Sequence, residues 1–420
     1  MSIHGARFLS VGITAVMVTA ALSGCSGSST SSSGPSSKAP LTIGASLSLN
    51  GDFSADGIAF KRGYELWAHD VNAKGGIDGH KVVLIIKNDH SSPTQVDANY
   101  TDLINNSKVD LTFGPFSSLL TAPAGEVARR YGYAFVEGAG GAPLVFSEKL
   151  PNVFDVSLPV ANQLDPFTTW IKSLPANQRP TTAAYPMADD PFATPQVQRT
   201  QGFLQPLGIK TVYSKIFPEE VPDYLPNGDR VASSKAQAVV LGSTDVPTVA
   251  AFMRAFEQQH YNPKVFIAAA GPDQGAAFTS AVGVKNADGM MVANAWYPGY
   301  DNAASKAMVN EYVSIYHGSP SDVNADVAEA YSVGQVIEQA IKATGGVQDA
   351  KTMNSKIVSY LHSNVTLTSV QGPVQFNSLG ENVKALAFIF QWQNGQYVQV
   401  LPAGAPGSQK IIFPKPNWSS

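Results

Sequence analysis

Asp56-Gly-Ile-Ala-Phe-Lys-Arg-Gly-Tyr-Glu-Leu-Trp-Ala-His-Asp-Val-Asn-Ala-Lys74, then Gly75-Gly76, then Val82-Val-Leu-Ile-Ile86, decides the fold class. Phe60, Tyr64, Trp67 and Val71 recur at i, i+4, i+7 and i+11, so they share one helical face, while Lys61, Arg62, Glu65 and Asp70 take the other. The glycine pair stops this helix, because the position after the C-cap favours a residue that adopts positive φ. Val82–Ile86 is a continuous apolar run, which predicts a strand buried on both faces of a parallel sheet.

The same alternation extends in both directions. Leu41-Thr-Ile-Gly-Ala-Ser-Leu-Ser-Leu49 reads as the preceding strand. A helix at 94–107, strand Val109–Phe113, a helix at 118–131 and strand Ala134–Val136 follow. The pattern then repeats. Strands are predicted at Thr181–Tyr185, Thr211–Phe217, Ala238–Leu241 and Val265–Ala270, with helices at 160–173, 194–205 and 246–260 between them. The expected class is α/β: two doubly wound parallel-sheet lobes joined by a multi-strand hinge. No Pro/Ser-rich linker separates the halves, and the crossovers are expected near 156–160, 293–298 and 370–376. Helices at 303–317, 324–344 and 350–361 return to the first lobe, and Val327, Tyr331, Gly334, Ile337 and Ile341 form one face of the second of these. Residues 385–392 and 396–401 read as a hairpin turning at Asn394-Gly395.

Composition excludes several function classes. The 420 residues are 44% hydrophobic and only 14% charged, which is ample for a large core and rules out disorder for the whole chain. A net charge of −4 argues against a nucleic-acid partner. A single cysteine excludes an internal disulfide and a Cys-rich zinc site. That cysteine follows His4, Arg7, an apolar run from Phe8 to Leu22, and Leu22-Ser23-Gly24. The run is too short to span a bilayer, and the pattern resembles a bacterial lipobox. The expectation is a signal over 1–24, lipidation of Cys25, and a Ser/Gly-rich tether over 25–40 that holds the body on the outer face of a membrane. The expected lobes are 41–157 with 296–371, and 158–295 with 372–408, followed by a tail at 409–420.

Catalytic signatures are missing. There is no phosphate-binding Gly-x-x-x-x-Gly-Lys-Ser/Thr loop and no Gly-x-Ser-x-Gly elbow. The seven histidines form no metal-spaced cluster, so no metal, cofactor or catalytic residue is expected. Asp89-His90 could bind a metal or shuttle protons, but Ser91-Ser92-Pro93 favours helix capping there.

Asn72-Ala-Lys-Gly-Gly-Ile-Asp-Gly-His-Lys-Val-Val83 resembles a segment of the branched-chain amino-acid (Leu/Ile/Val)-binding proteins, type I periplasmic binding proteins of ABC importers. Leu47-Ser-Leu-Asn-Gly51, Asp89 with Pro93, Phe113-Gly-Pro-Phe-Ser-Ser118, Gly271-Pro-Asp273, Asp288-Gly-Met290, Ala330-Tyr331 and Gly372-Pro-Val-Gln-Phe376 follow in the same order, covering nearly all of 41–400. The resemblance implies a small solute held in a cleft between two closing lobes, ABC permease subunits as partners, and a monomer. It implies that Ser117 or Ser118 holds a ligand carboxylate; each also reads as a cap of the helix that follows. It places the turn Ala139-Gly140-Gly141 where the family has a Thr-bearing grip. Gly141 stands at the Thr position, so that hydroxyl is lost. Asp273 falls where a carboxylate takes the ligand ammonium, and it is also a good N-cap. Asp52, Phe53, Asp56, Asp190, Phe192, Ser243 and Thr244 are candidates for side-chain selectivity, with Asp189 and Asp190 equally readable as solvated loop charges. Trp296 and Tyr297 read as hinge packing. A branched-chain or other amino acid is the leading ligand. A small amide, polyol or aromatic acid is the alternative, with a ligand sensor or a lipid-anchored hydrolase behind it.

Overall fold

The computed structural model describes residues 38–418 apart from 220, 301 and 406, so the signal, Cys25 and most of the tether lie outside the described residues. The first sheet contains β1 (Leu41–Leu47), β2 (Val82–Asn88), β3 (Leu111–Phe113), β4 (Phe135–Glu137) and β5 (Val153–Asp155), all parallel, in the order β2-β1-β3-β4-β5. The second contains β6 (Thr182–Ala188), β7 (Lys210–Phe217), β8 (Ala238–Leu241), β9 (Val265–Ala268) and β10 (Met290–Asn294) in the equivalent order β7-β6-β8-β9-β10. β11 (Leu367–Ser369) and β12 (Gly372–Val374) form a separate two-stranded unit. β13 (Phe388–Gln393) and β14 (Gln396–Leu401) extend the second sheet beyond β10 as antiparallel strands. Both lobes therefore share the 2-1-3-4-5 order, whose crevice opens at the carboxyl ends of the strands.

The helix Ser54–Ala73 buries Phe60, Tyr64, Trp67 and Val71 against the first sheet and against the helix Ala325–Ala343. Each such large apolar side chain stabilises the lobe by roughly 1.5–3 kcal/mol. The two helices touch at glycines. A Cβ on Gly334 would collide with the Trp67 ring, and one on Gly63 with the Val327 carbonyl. The return of residues 303–361 to the first lobe follows from this seam, together with Met308, Tyr312, Met353 and Ile357 in the same core. Gly75 (φ 101°) and Gly76 (φ 86°) end the first helix in the left-handed region.

Three expectations need correction. β2 is an edge strand, so only Val82 is buried and Val83 is 43% exposed, whereas the central β8 is buried throughout. The third crossover is not at 370–376. Val370, Val374 and Phe376 join the first core, and Asn382 Nδ2 donates to the Val156 carbonyl (2.7 Å), so the chain crosses between Asn382 and Phe388. Residues 372–382 belong to the first lobe because β11 and β12 pair with each other and need its core. The helix expected at 160–173 is a 3-10 turn, Val160–Asn162, followed by a helix over Asp165–Ser173. The tail packs on the second lobe through Phe413, and Gln391 Nε2 donates to the Ile412 carbonyl (3.0 Å).

Candidate functional site

A cavity with about 700 Å³ of unfilled space, mouth included, lies between the lobes at the carboxyl ends of the strands. The first lobe supplies Phe53, Asp56, Phe116, Ser117, Ala139, Gly141, Asp155, Asp326 and Glu329; the second supplies Asp190, Phe192, Thr244, Ala270, Asp273 and Asn294. Of the residues predicted for the site, Ser117, Ala139, Gly141, Asp273, Asp190, Phe192, Thr244, Asp56 and Phe53 come together in this wall. Ser118, Gly140, Ser243, Asp52 and Asp189 do not line it. Ser118 is buried behind it, with Oγ accepting from the Ala142 N–H (3.2 Å). Ser243 Oγ donates to the Ala270 carbonyl (2.7 Å). Asp52 and Asp189 are exposed.

The local reasons differ from residue to residue. Ser117 caps the helix Ser118–Tyr131, its Oγ accepting from the Leu120 N–H (3.3 Å), and holds φ 77°, ψ 147°, a region otherwise left to glycine. Backbone strain of that kind costs about 1–3 kcal/mol and gathers at functional sites. Gly141 is glycine because of close approach: a Cβ there would lie 2.6 Å from Asp155 Oδ2 and 2.9 Å from the Leu158 carbonyl. A threonine does not fit this backbone. Asp190 is buried and turned inward, its Oδ1 accepting from the N–H groups of Phe192 (2.7 Å) and Ala193 (2.9 Å), so it is not the solvated charge that Asp189 is. Asp89 likewise accepts from Ser48 Oγ (2.6 Å), Ser46 Oγ (3.1 Å) and the Ser91 N–H (2.9 Å), and Ser92 caps the helix Pro93–Asn105. Trp296 is in the first core, where its Nε1 donates to Ser305 Oγ (3.0 Å). Tyr297 packs edge-on to Phe390.

The wall is acidic. Asp56, Asp155, Asp190, Asp273, Asp326 and Glu329 line it, and among its described residues none is Lys, Arg or His. Burial raises every one of these carboxyls, since water no longer solvates the charged form. Asp273 is pushed up to about 6, and Asp326 and Asp155 each to about 7. Asp56 and Glu329 are held well above the usual range by burial and then by the Asp326 charge. Asp56 and Asp326 share one amide donor, Gln274 Nε2, which brings the two carboxyls together.

Gln274 closes the gap between lobes. It follows Asp273 on the second lobe, and its Nε2 donates to Asp56 Oδ1 and to Asp326 Oδ2 (3.2 Å) on the first, while its Oε1 accepts from Asn324 Nδ2 (3.2 Å). Sequence reasoning missed Gln274, Asp326, Glu329, Asp155 and Glu137. Only the i, i+3 spacing of Asp326 and Glu329, on a helix whose other face is apolar, offered a signal.

Comparison with known proteins agrees with this architecture. The family model described as "Periplasmic binding protein" matches residues 40–396. Leu/Ile/Val-binding protein homolog 7 of Brucella suis biovar 1 (strain 1330) is 23% identical over 385 residues, 88% of this chain and 94% of that protein. Homolog 8 of Brucella abortus (strain 2308) is 25% identical over 372 residues, 86% and 89%. Among solved structures, the branched-chain amino acid transporter substrate-binding protein LivJ from Streptococcus pneumoniae, in complex with isoleucine, superposes with TM-score 0.72 at 17% identity, covering 85% of this chain and 97% of that one. A solute-binding protein of an ABC transporter from R. palustris, in complex with benzoate, gives TM-score 0.74 at 18% identity, covering 91% and 98%. A family match along both lobes, on sheets that share one strand order, means that this chain belongs to the periplasmic binding protein family.

Proposed function

We propose that the chain is a non-catalytic extracytoplasmic receptor that captures a small solute bearing a protonated amino group and delivers it to an ABC importer. The observation that carries this reading is the two-lobed acidic cavity, with Gln274 hydrogen-bonded from one lobe to the other beside Asp273. A buried carboxylate without a counter-charge is costly, and a cationic ligand group removes that cost. Asp273 is the second-lobe partner of that group, and Asp56 and Asp326 are its first-lobe partners. Ligand that touches both lobes favours the closed arrangement by its differential affinity for it. The apolar wall of Phe53, Phe116 and Phe192 supplies the remaining contact. Lipidation at Cys25 and the tether to Pro40 would keep the receptor near its permease, with the body acting as a monomer.

A thermal-shift screen tests the reading with amino acids, amines, amides and urea, polyols and aromatic acids. Ligand at about 1,000 times its dissociation constant adds about 4 kcal/mol of stability. Stabilisation by amino-bearing solutes, abolished by Asp273→Ala, is expected. Stabilisation by polyols or aromatic acids alone would overturn the role of Asp273. A separate assay of the permease's ATPase with and without the loaded receptor tests delivery.

A further inference from the structure

Three backbone donors of the turn after β4 are already in use. The N–H groups of Ala139 (2.8 Å) and Gly140 (2.5 Å) both donate to Oε2 of Glu137, a fully buried residue of the same strand. The Ala142 N–H donates to Ser118 Oγ, and Ser117 Oγ accepts from the Leu120 N–H. The protein's own carboxylate thus sits where this turn would hold an anion. A second carboxylate arriving there would find these donors occupied and would face Glu329 and Asp155, both of which line the cavity.

The opposite charge is wanted at two places. Asp326 and Glu329 stand one helical turn apart, which separates their side chains by about 5–6 Å at the Cβ atoms. Asp56 and Asp273 gather around Asp326. Asp155 gathers with Glu329, and its buried Oδ2 has no hydrogen-bond partner although the residue lines the cavity. A buried carboxylate oxygen left without a partner in a residue that lines a cavity calls for a donor.

We propose that the cleft takes a small organic cation with two protonated nitrogens and no carboxylate, a short aliphatic diamine or polyamine, one nitrogen among Asp56, Asp273 and Asp326 and the other between Glu329 and Asp155. This rests on the binding-protein reading and narrows its solute. Because burial raises Asp155 and Asp326 to about 7, a nitrogen captured at either one displaces protons near neutrality, and binding weakens as pH falls. The other titratable groups around them are acidic or phenolic: Glu137 behind the turn, Glu381 beside Asp155, Asp190 across the cleft, and Tyr397 near Asp273.

Calorimetric titration of the purified chain with 1,4-diaminobutane, spermidine, 4-aminobutanoate, leucine and benzoate, at pH 8 and pH 5.5, tests this. The diamine and the polyamine bind at pH 8 and lose at least about tenfold in affinity at pH 5.5, a change of about 1.4 kcal/mol. 4-Aminobutanoate, which replaces one nitrogen by a carboxylate, does not bind. Glu329→Gln weakens 1,4-diaminobutane by about tenfold or more and leaves 1-aminobutane within about threefold, which a merely structural defect would not do. Binding of leucine or benzoate with the diamines silent would overturn the inference while leaving the binding-protein reading intact. Silence across the panel would overturn both.

Discussion

Replacing Asp155 by Asn removes one buried charge and little else. The side chain keeps its shape, and the Ser157 N–H that donates to Oδ1 (2.8 Å) still meets an oxygen. In the wild type, burial raises Asp155 from the ordinary aspartate range to about 7. A carboxyl raised in the folded state contributes stability that is fully present below its unfolded pKa and is lost as pH rises through the folded one. Between pH 5 and pH 8, a shift from about 3.9 to about 7 removes on the order of 2–3 kcal/mol from the unliganded protein. Asp326, also raised to about 7, and Asp273, raised to about 6, change stability in the same direction. Scanning calorimetry of the unliganded wild type should therefore give a melting temperature that falls from pH 5 to pH 8. Asp155→Asn should match the wild type near pH 5 and melt several degrees higher near pH 8. A wild-type melting temperature that rises with pH, or a variant whose profile runs parallel to it, would refute the assignment of Asp155 as a buried, uncompensated acid.

Two further outcomes follow from other contacts. Gln274→Ala removes the amide that links the lobes through Asp56, Asp326 and Asn324, so solute affinity should fall by about tenfold or more, chiefly through faster release in stopped-flow measurements. Gly334→Ala drives a methyl into the Trp67 ring between the two longest first-lobe helices, and chemical denaturation should report a loss of about 1–3 kcal/mol or more, with no change in the second lobe's core.

Much of the fold is legible because parallel strands inside a sheet are apolar on both faces. Val239, Val240 and Leu241 announce β8 by composition alone, and every residue of that strand is buried. β2 shows the limit of the rule. Its five apolar residues look central, yet it lies at the sheet edge, and Val83 and Ile85 are partly open. β5, β11 and β12 are three residues each, too short for periodicity to register. The helix Leu225–Ser233 contains Pro226 and Gly228 and has little intrinsic propensity; Val231 and Ala232, buried in the second core, hold it in place.

The site was legible in part, for a different reason. Residues in the loops and first helical turns after strands, such as Asp56, Ser117, Gly141 and Asp273, follow from where an α/β crevice opens. Asp326 and Glu329 sit on a helix that sequence periodicity reads for its apolar face, and nothing local in sequence says that this helix returns to the cleft. Glu137 ends a strand with its side chain turned back onto the following turn, a geometry no spacing rule encodes. The lost Thr hydroxyl at Gly141 is plain in the sequence, but its cause, Asp155 pressed against that backbone, is not.

The most direct test is calorimetric titration of the chain with 1,4-diaminobutane at pH 7 in two buffers of different ionisation heat, which counts protons as well as affinity. The account predicts one diamine per chain, with protons released on binding. Binding without proton release, or no binding beside a stoichiometric complex with a carboxylate-bearing solute, would contradict it.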